Sequence, residues 1–107
     1  VAKYLLIESR SPWESEDVAY FYGLARDLAS AGEEVTLFLV QNGVLPVRSG
    51  AKYSGLPTNG SRVRVLADDF SLRERAIGAA DLRPGVGAAG IDVVVDLLAE
   101  GARAVWH

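Results

Sequence analysis

"RVRVLADDFSLRER", residues 62–75, carries an alternating apolar run through two adjacent acids into a charged helix opening. Val63, Val65, Leu66 and Ala67 have the pattern of a strand whose far end is covered on both faces. Beyond it, Ser71 and Glu74 stand at capping-box spacing, with Asp69 as a competing cap. A helix of about two turns over residues 70–77 is expected. A strand that runs directly into a helix is half of a parallel-sheet unit, so what the neighbouring segments form decides the fold.

Upstream, "EVTLFLV" at residues 34–40 is rich in β-branched and aromatic residues and closes at Asn42-Gly43, which reads as a strand followed by a turn. "KYLLIE" at residues 3–8 is a nearly continuous apolar run, as expected of a buried strand. Between these two lies a helical pattern in which Val18, Phe21, Tyr22, Ala25 and Leu28 recur at three- and four-residue steps, ending near Gly32. Its start is either a capping box at Ser11-Pro12-Trp13-Glu14 or a later cap at Ser15 or Glu16. Tyr20 and Tyr22 cannot both face the core with Phe21, so at least one meets solvent or a neighbour.

Residues 43–62 are rich in Gly, Pro and Ser, and are expected to hold one short helix, at 44–49 or 52–55, within loops. Downstream, "GIDVVVDLLAEG" predicts a helix with Ile91, Val94, Val95 and Leu98 on one face, and "RAVWH" a last short strand. Strands alternating with helices in this order predict an α/β three-layer sandwich. Its sheet is mainly parallel, of about four or five strands flanked by helices. At 107 residues the chain supports a single domain over 1–107.

Composition excludes several chemistries. With no cysteine and one histidine, at position 107, the chain has no thiol nucleophile, no thiolate metal site and no two-histidine metal centre. Neither a metal nor a cofactor is expected. A formal charge of −3 with scattered basic residues offers no stripe for nucleic acid. No apolar run approaches the roughly 20 residues of a membrane span, and "VAKYLLIESR" lacks the features of a signal peptide, so a cytoplasmic location is expected. Gly85-Val86-Gly87-Ala88-Ala89-Gly90 spells the dinucleotide fingerprint, but no strand precedes it, and it is read as a loop leading into a helix.

Ligands of parallel sheets bind beyond the carboxyl ends of the strands. That rule gathers Ser9, Arg10, Ser11, Asn42, Asp68, Asp69, Ser71 and Arg75 as candidate ligand-binding residues. Ser9, Arg10 and Ser11 precede a helix N-terminus, where backbone N–H groups favour an anion. Asp68 and Asp69 serve either as a carboxylate pair for acid–base work or a hard cation, or as a helix cap. Arg73 and Arg75 beside Glu74 form either a solvated helix face or an anion clamp.

The phrases "LLIESRSPWESEDVAYFYGLARDLASAGEEVTLFLVQNGV" and "VRVLADDFSLRERAI", followed by a late helix and a terminal strand, resemble the DsrE/DsrF-like family of small sulfur-relay proteins, relatives of the TusD and YchN proteins. Residues 72–77, "LRERAI", resemble that family's Leu-Arg-x-Arg-Gly-Ile phrase, with Ala76 in place of glycine. The resemblance implies a homo-oligomer, trimer or hexamer, and a protein partner from a sulfur-relay system. It also implies a persulfide-carrying cysteine at the end of the third strand, where this sequence has Ala67 or Asp68. Neither side chain holds sulfur, so the resemblance implies a cysteine-free binding or scaffold subunit. The alternative is a small-molecule- or cation-binding protein or enzyme that uses the acidic rim.

Overall fold

A computed structural model describes residues 1–58 and 61–107. The order of elements is β1 (Lys3–Glu8), α1 (Asp17–Ser30), β2 (Glu34–Leu39), a 3-10 helix (Gln41–Val47), β3 (Val63–Asp68), α2 (Asp69–Glu74), a 3-10 turn (Ala79–Asp81), β4 (Val86–Ala89), α3 (Asp92–Ala99) and β5 (Arg103–Trp106). The five strands form one sheet in the order β4-β3-β2-β1-β5, and every pairing is parallel. The expected sandwich is therefore present, with all five carboxyl ends at one rim. No described helix is long and apolar enough to cross a membrane.

Two unequal cores lie on the two faces. The larger joins Leu6, Leu37, Val65 and Ala67 of the sheet to Val18, Phe21, Tyr22 and Ala25 of α1, and to Val44, Val47 and Leu72. The smaller consists of Leu5, Ile7 and Phe38 under Val94 and Leu97 of α3. Tyr22 is fully buried and Tyr20 is exposed, which resolves the aromatic crowding noted in α1.

Several expectations are corrected. The capping box at Ser11 is half formed, with the Ser11 N–H bonded to the Glu14 carboxylate at 2.8 Å, but the helix starts at Asp17 after an intervening turn. Asn42-Gly43 opens the 3-10 helix, which starts earlier than 44–49, and residues 52–55 are not helical. The loop expected across residues 59–60 lies outside the described residues. Residues 86–89 form an edge strand, because pairing with β3 from Val65 to Asp68 overrides the weak strand preference of Gly and Ala. The glycines thus sit in and beside a strand, and the fingerprint geometry is not formed. In α3, Val94 and Leu97 face the sheet while Ile91, Val95 and Leu98 face outward. Three consecutive valines left the phase of that helix ambiguous.

Candidate functional site at the strand-end rim

The tight approach of β1 and β2 at their carboxyl ends shapes the rim. The Val40 N–H donates to the Glu8 carbonyl at 2.9 Å, and the Gly43 N–H donates to the Val40 carbonyl at 2.8 Å. A Cβ at position 43 would lie 2.3 Å from the Glu8 carbonyl oxygen, so only glycine fits there. Gln41, between them, is held at φ 52.

At the end of β3, Asp68 is the N-cap of α2. Its Oδ2 accepts the Ser71 N–H at 3.0 Å and the Ser71 hydroxyl at 2.7 Å. Neither Asp69 nor Ser71 is the cap. Residue 68 alone combines extended backbone with a side chain aimed at the third residue beyond, which is the geometry a cap requires. Asp69 turns to Arg73, 3.8 Å away, so the two adjacent carboxylates serve different partners and do not act as a pair. The Ser71 hydroxyl oxygen in turn accepts the Gln41 N–H at 2.8 Å. Arg75 donates from Nε and Nη2 to Asn42 Oδ1, at 3.3 and 3.0 Å, and from Nη1 to the Ser71 carbonyl at 3.2 Å. Four expected residues, Asn42, Asp68, Ser71 and Arg75, thus meet in one hydrogen-bonded group that ties the start of the 3-10 helix after β2 to α2.

Ser9, Arg10 and Ser11 make no hydrogen bond to that group and have other partners. The Ser9 hydroxyl donates to the His107 carbonyl at 3.0 Å, and the Arg10 N–H donates to Glu8 Oε2 at 3.0 Å. With the Ser11 N–H on Glu14, the Arg10 and Ser11 backbone donors expected to bind an anion are already occupied by carboxylates of the chain.

Sequence reasoning missed Glu8 and His107. Glu8 is fully buried, and its two carboxylate oxygens lie 2.7 and 3.0 Å from His107 Nδ1. The imidazole leans on the Phe21 ring, with centroids 5.5 Å apart. The available signal was an acid closing an otherwise apolar strand. The pairing itself needs β5 beside β1, which no local pattern announces.

On the α3 side of the rim a cleft of about 440 Å³ is lined by Val40, Asn42, Phe70, Ser71, Arg75 and Trp106, among others. A second cleft of similar size lies at the opposite end of the strands, between the sheet and α3. Its acids and bases balance: Lys3 and Glu100 are 2.7 Å apart, which raises the lysine and lowers the carboxylate from their ordinary pKa values. Among the described residues, no group of three or more His, Asp or Glu side chains is placed to hold a metal ion.

No family model matches the chain, and no curated protein matches it. Solved structures do. MTH1491 from Methanobacterium thermoautotrophicum, a protein of unknown function, is 21% identical over 100% of both chains with a TM-score of 0.84. The ychN protein from E. coli is 18% identical, with 98% of this chain and 99% of that chain covered and a TM-score of 0.77. The resemblance to YchN-type proteins read from the sequence therefore holds at the level of fold.

Proposed function

We propose that this chain is a non-catalytic binding or scaffold subunit, related to sulfur-relay proteins of the DsrE/DsrF type, that works in the cytoplasm with a protein partner from such a system. One observation carries the reading. The position at which the sequence resemblance expects a sulfur-bearing cysteine is Ala67 or Asp68; Ala67 is a buried methyl, and the Asp68 carboxylate is turned inward onto Ser71. Persulfide transfer needs a thiolate nucleophile, and the chain contains none. The rim has the fold and a hydrogen-bonded frame but no thiol, which suits holding rather than transferring.

The binding-subunit reading is favoured over a cation-binding protein or enzyme built on the acidic rim by one feature: Asp68 and Asp69 turn to different partners, Ser71 and Arg73. The test is incubation with a low-molecular-weight persulfide donor followed by intact mass: the chain should retain no added sulfur, and a stable adduct would overturn the reading.

Homo-oligomerisation, as a trimer or hexamer, belongs to the same proposal. Ile91, Val95 and Leu98 present an apolar face on the outside of α3, at 62%, 62% and 49% exposure, with no partner among the described residues. A second copy is the partner always present at matching concentration. Light scattering should give a multiple of the chain mass, and Val95→Glu should reduce it to the monomer; a monomeric wild type would contradict this part.

A further inference from the structure

The cleft at the rim has two kinds of wall. Phe70 and Trp106 supply aromatic rings that are 57% and 68% exposed. Trp106 is paired in register with Ile7, so its side chain stands on the α3 face of the sheet, beside the small core and not within it. An indole and a phenyl ring left open around one cavity, while Leu5, Ile7 and Phe38 of the same face are buried, form a surface that lacks an apolar occupant.

The opposing wall is polar and carries a fixed charge. Three hydrogen bonds to neutral acceptors, the Asn42 side chain and the Ser71 carbonyl, immobilise the half-buried Arg75 guanidinium. Two of its five N–H donors remain available. Among the described residues no carboxylate lies within ion-pair distance of it. Asp68, in the same wall, is turned onto the Ser71 N–H and hydroxyl and away from Arg75, and Glu74 lines the cleft without pairing to Arg75.

From this placement we infer that the cleft binds a planar aromatic anion, an arene carboxylate or sulfonate, with the ring against Phe70 and Trp106 and the anionic group on Arg75. The inference rests on the reading that the rim binds rather than reacts, and it gives that rim a ligand class. A guanidinium held in place before binding loses little freedom on meeting the anion, and a flat ring can lie against the aromatic wall. The volume of about 440 Å³ is within the usual range for small-molecule sites.

The probe is 1-naphthoate, titrated calorimetrically into the full chain, with neutral 1-naphthalenemethanol as comparator. The naphthoate should bind at least ~10-fold more tightly than the alcohol. Arg75→Gln should remove that advantage and leave alcohol binding unchanged. Trp106→Ala should weaken both ligands about 10-fold, and Trp106→Phe should restore most of the loss. Both side chains lie at the rim, Trp106 on an exposed edge strand, and unchanged circular dichroism will verify the fold of each variant.

Three results would overturn the inference. One is no binding of naphthoate at millimolar concentration. Another is equal naphthoate affinity in wild type, Arg75→Gln and Trp106→Ala. The third is a change of oligomeric state in Trp106→Ala with no change in ligand affinity, which would assign the cleft to a second copy. A sulfur adduct in the mass assay would instead overturn the binding-subunit reading and leave a positive naphthoate result standing.

Discussion

Replacing Ala76 by glycine should stabilise the protein, although it removes a methyl group and loosens the unfolded chain. The α2 helix ends in a Schellman motif: the Ile77 N–H donates to the Leu72 carbonyl at 3.0 Å, and the Ala76 N–H donates to the Arg73 carbonyl at 3.1 Å. Leu72 and Ile77, both buried, supply the apolar contact that accompanies the motif. The residue at the turn must adopt a left-handed backbone, and Ala76 does so at φ 55. The other two α-helices end with the same pair of bonds, but there the turn residue is Gly32 at φ 91 or Gly101 at φ 88.

An L-residue in this region costs roughly 1–2 kcal/mol. Against that stands the roughly 0.5–1 kcal/mol by which glycine's extra freedom favours the unfolded chain. Ala76 is exposed, so its methyl contributes little burial. The net gain for Ala76→Gly is about 0.5–1 kcal/mol, or a Tm increase of about 2–6 °C. Urea unfolding followed by circular dichroism, at one fixed protein concentration, should show a higher midpoint with an unchanged slope. Gly32→Ala and Gly101→Ala supply internal controls. An added Cβ meets nothing within 4 Å at either site, so each should lose about 1 kcal/mol through backbone conformation alone. A destabilised Ala76→Gly, or neutral alanines at positions 32 and 101, would refute the reasoning.

Three further predictions come from the buried polar groups. Among the described residues the buried Tyr22 hydroxyl has no hydrogen-bond partner, so Tyr22→Phe should be neutral or stabilising by up to about 1–2 kcal/mol, as read by urea midpoint. Burial, chiefly, pushes the Tyr22 phenol far above its ordinary pKa. The folded state thus keeps a proton that the unfolded chain loses above about pH 10, and stability should fall with rising pH beyond that point, less steeply in Tyr22→Phe. For the fully buried Glu8, Glu8→Gln should cost about 1–3 kcal/mol, with His107→Ala adding much less in the Gln background than in wild type. Additive losses would deny the coupling.

The central strands and α1 were legible because each is an unbroken apolar or amphipathic run whose period admits one reading. Three parallel strands also bring the segments around Asn42 and Asp68 to one rim, where Asn42, Asp68, Ser71 and Arg75 join in one hydrogen-bonded group. What escaped was whatever depends on partners distant in sequence. β4 is built from Val, Gly and Ala and becomes a strand only against β3. Glu8 and His107 are 99 residues apart and meet only because β5 pairs with β1. Ser9 to Ser11 have the right composition for an anion site, yet Glu8 and Glu14 reach the Arg10 and Ser11 donors first.

The most direct measurement compares the intact mass of wild type and Asp68→Cys after exposure to a persulfide donor and desalting. If the end of β3 is a sulfur-carrying position from which only the thiolate is missing, the variant gains sulfur at residue 68 while the wild type gains none. Sulfur retained by the wild type, or a variant whose reduced, folded thiol takes up none, would contradict the account.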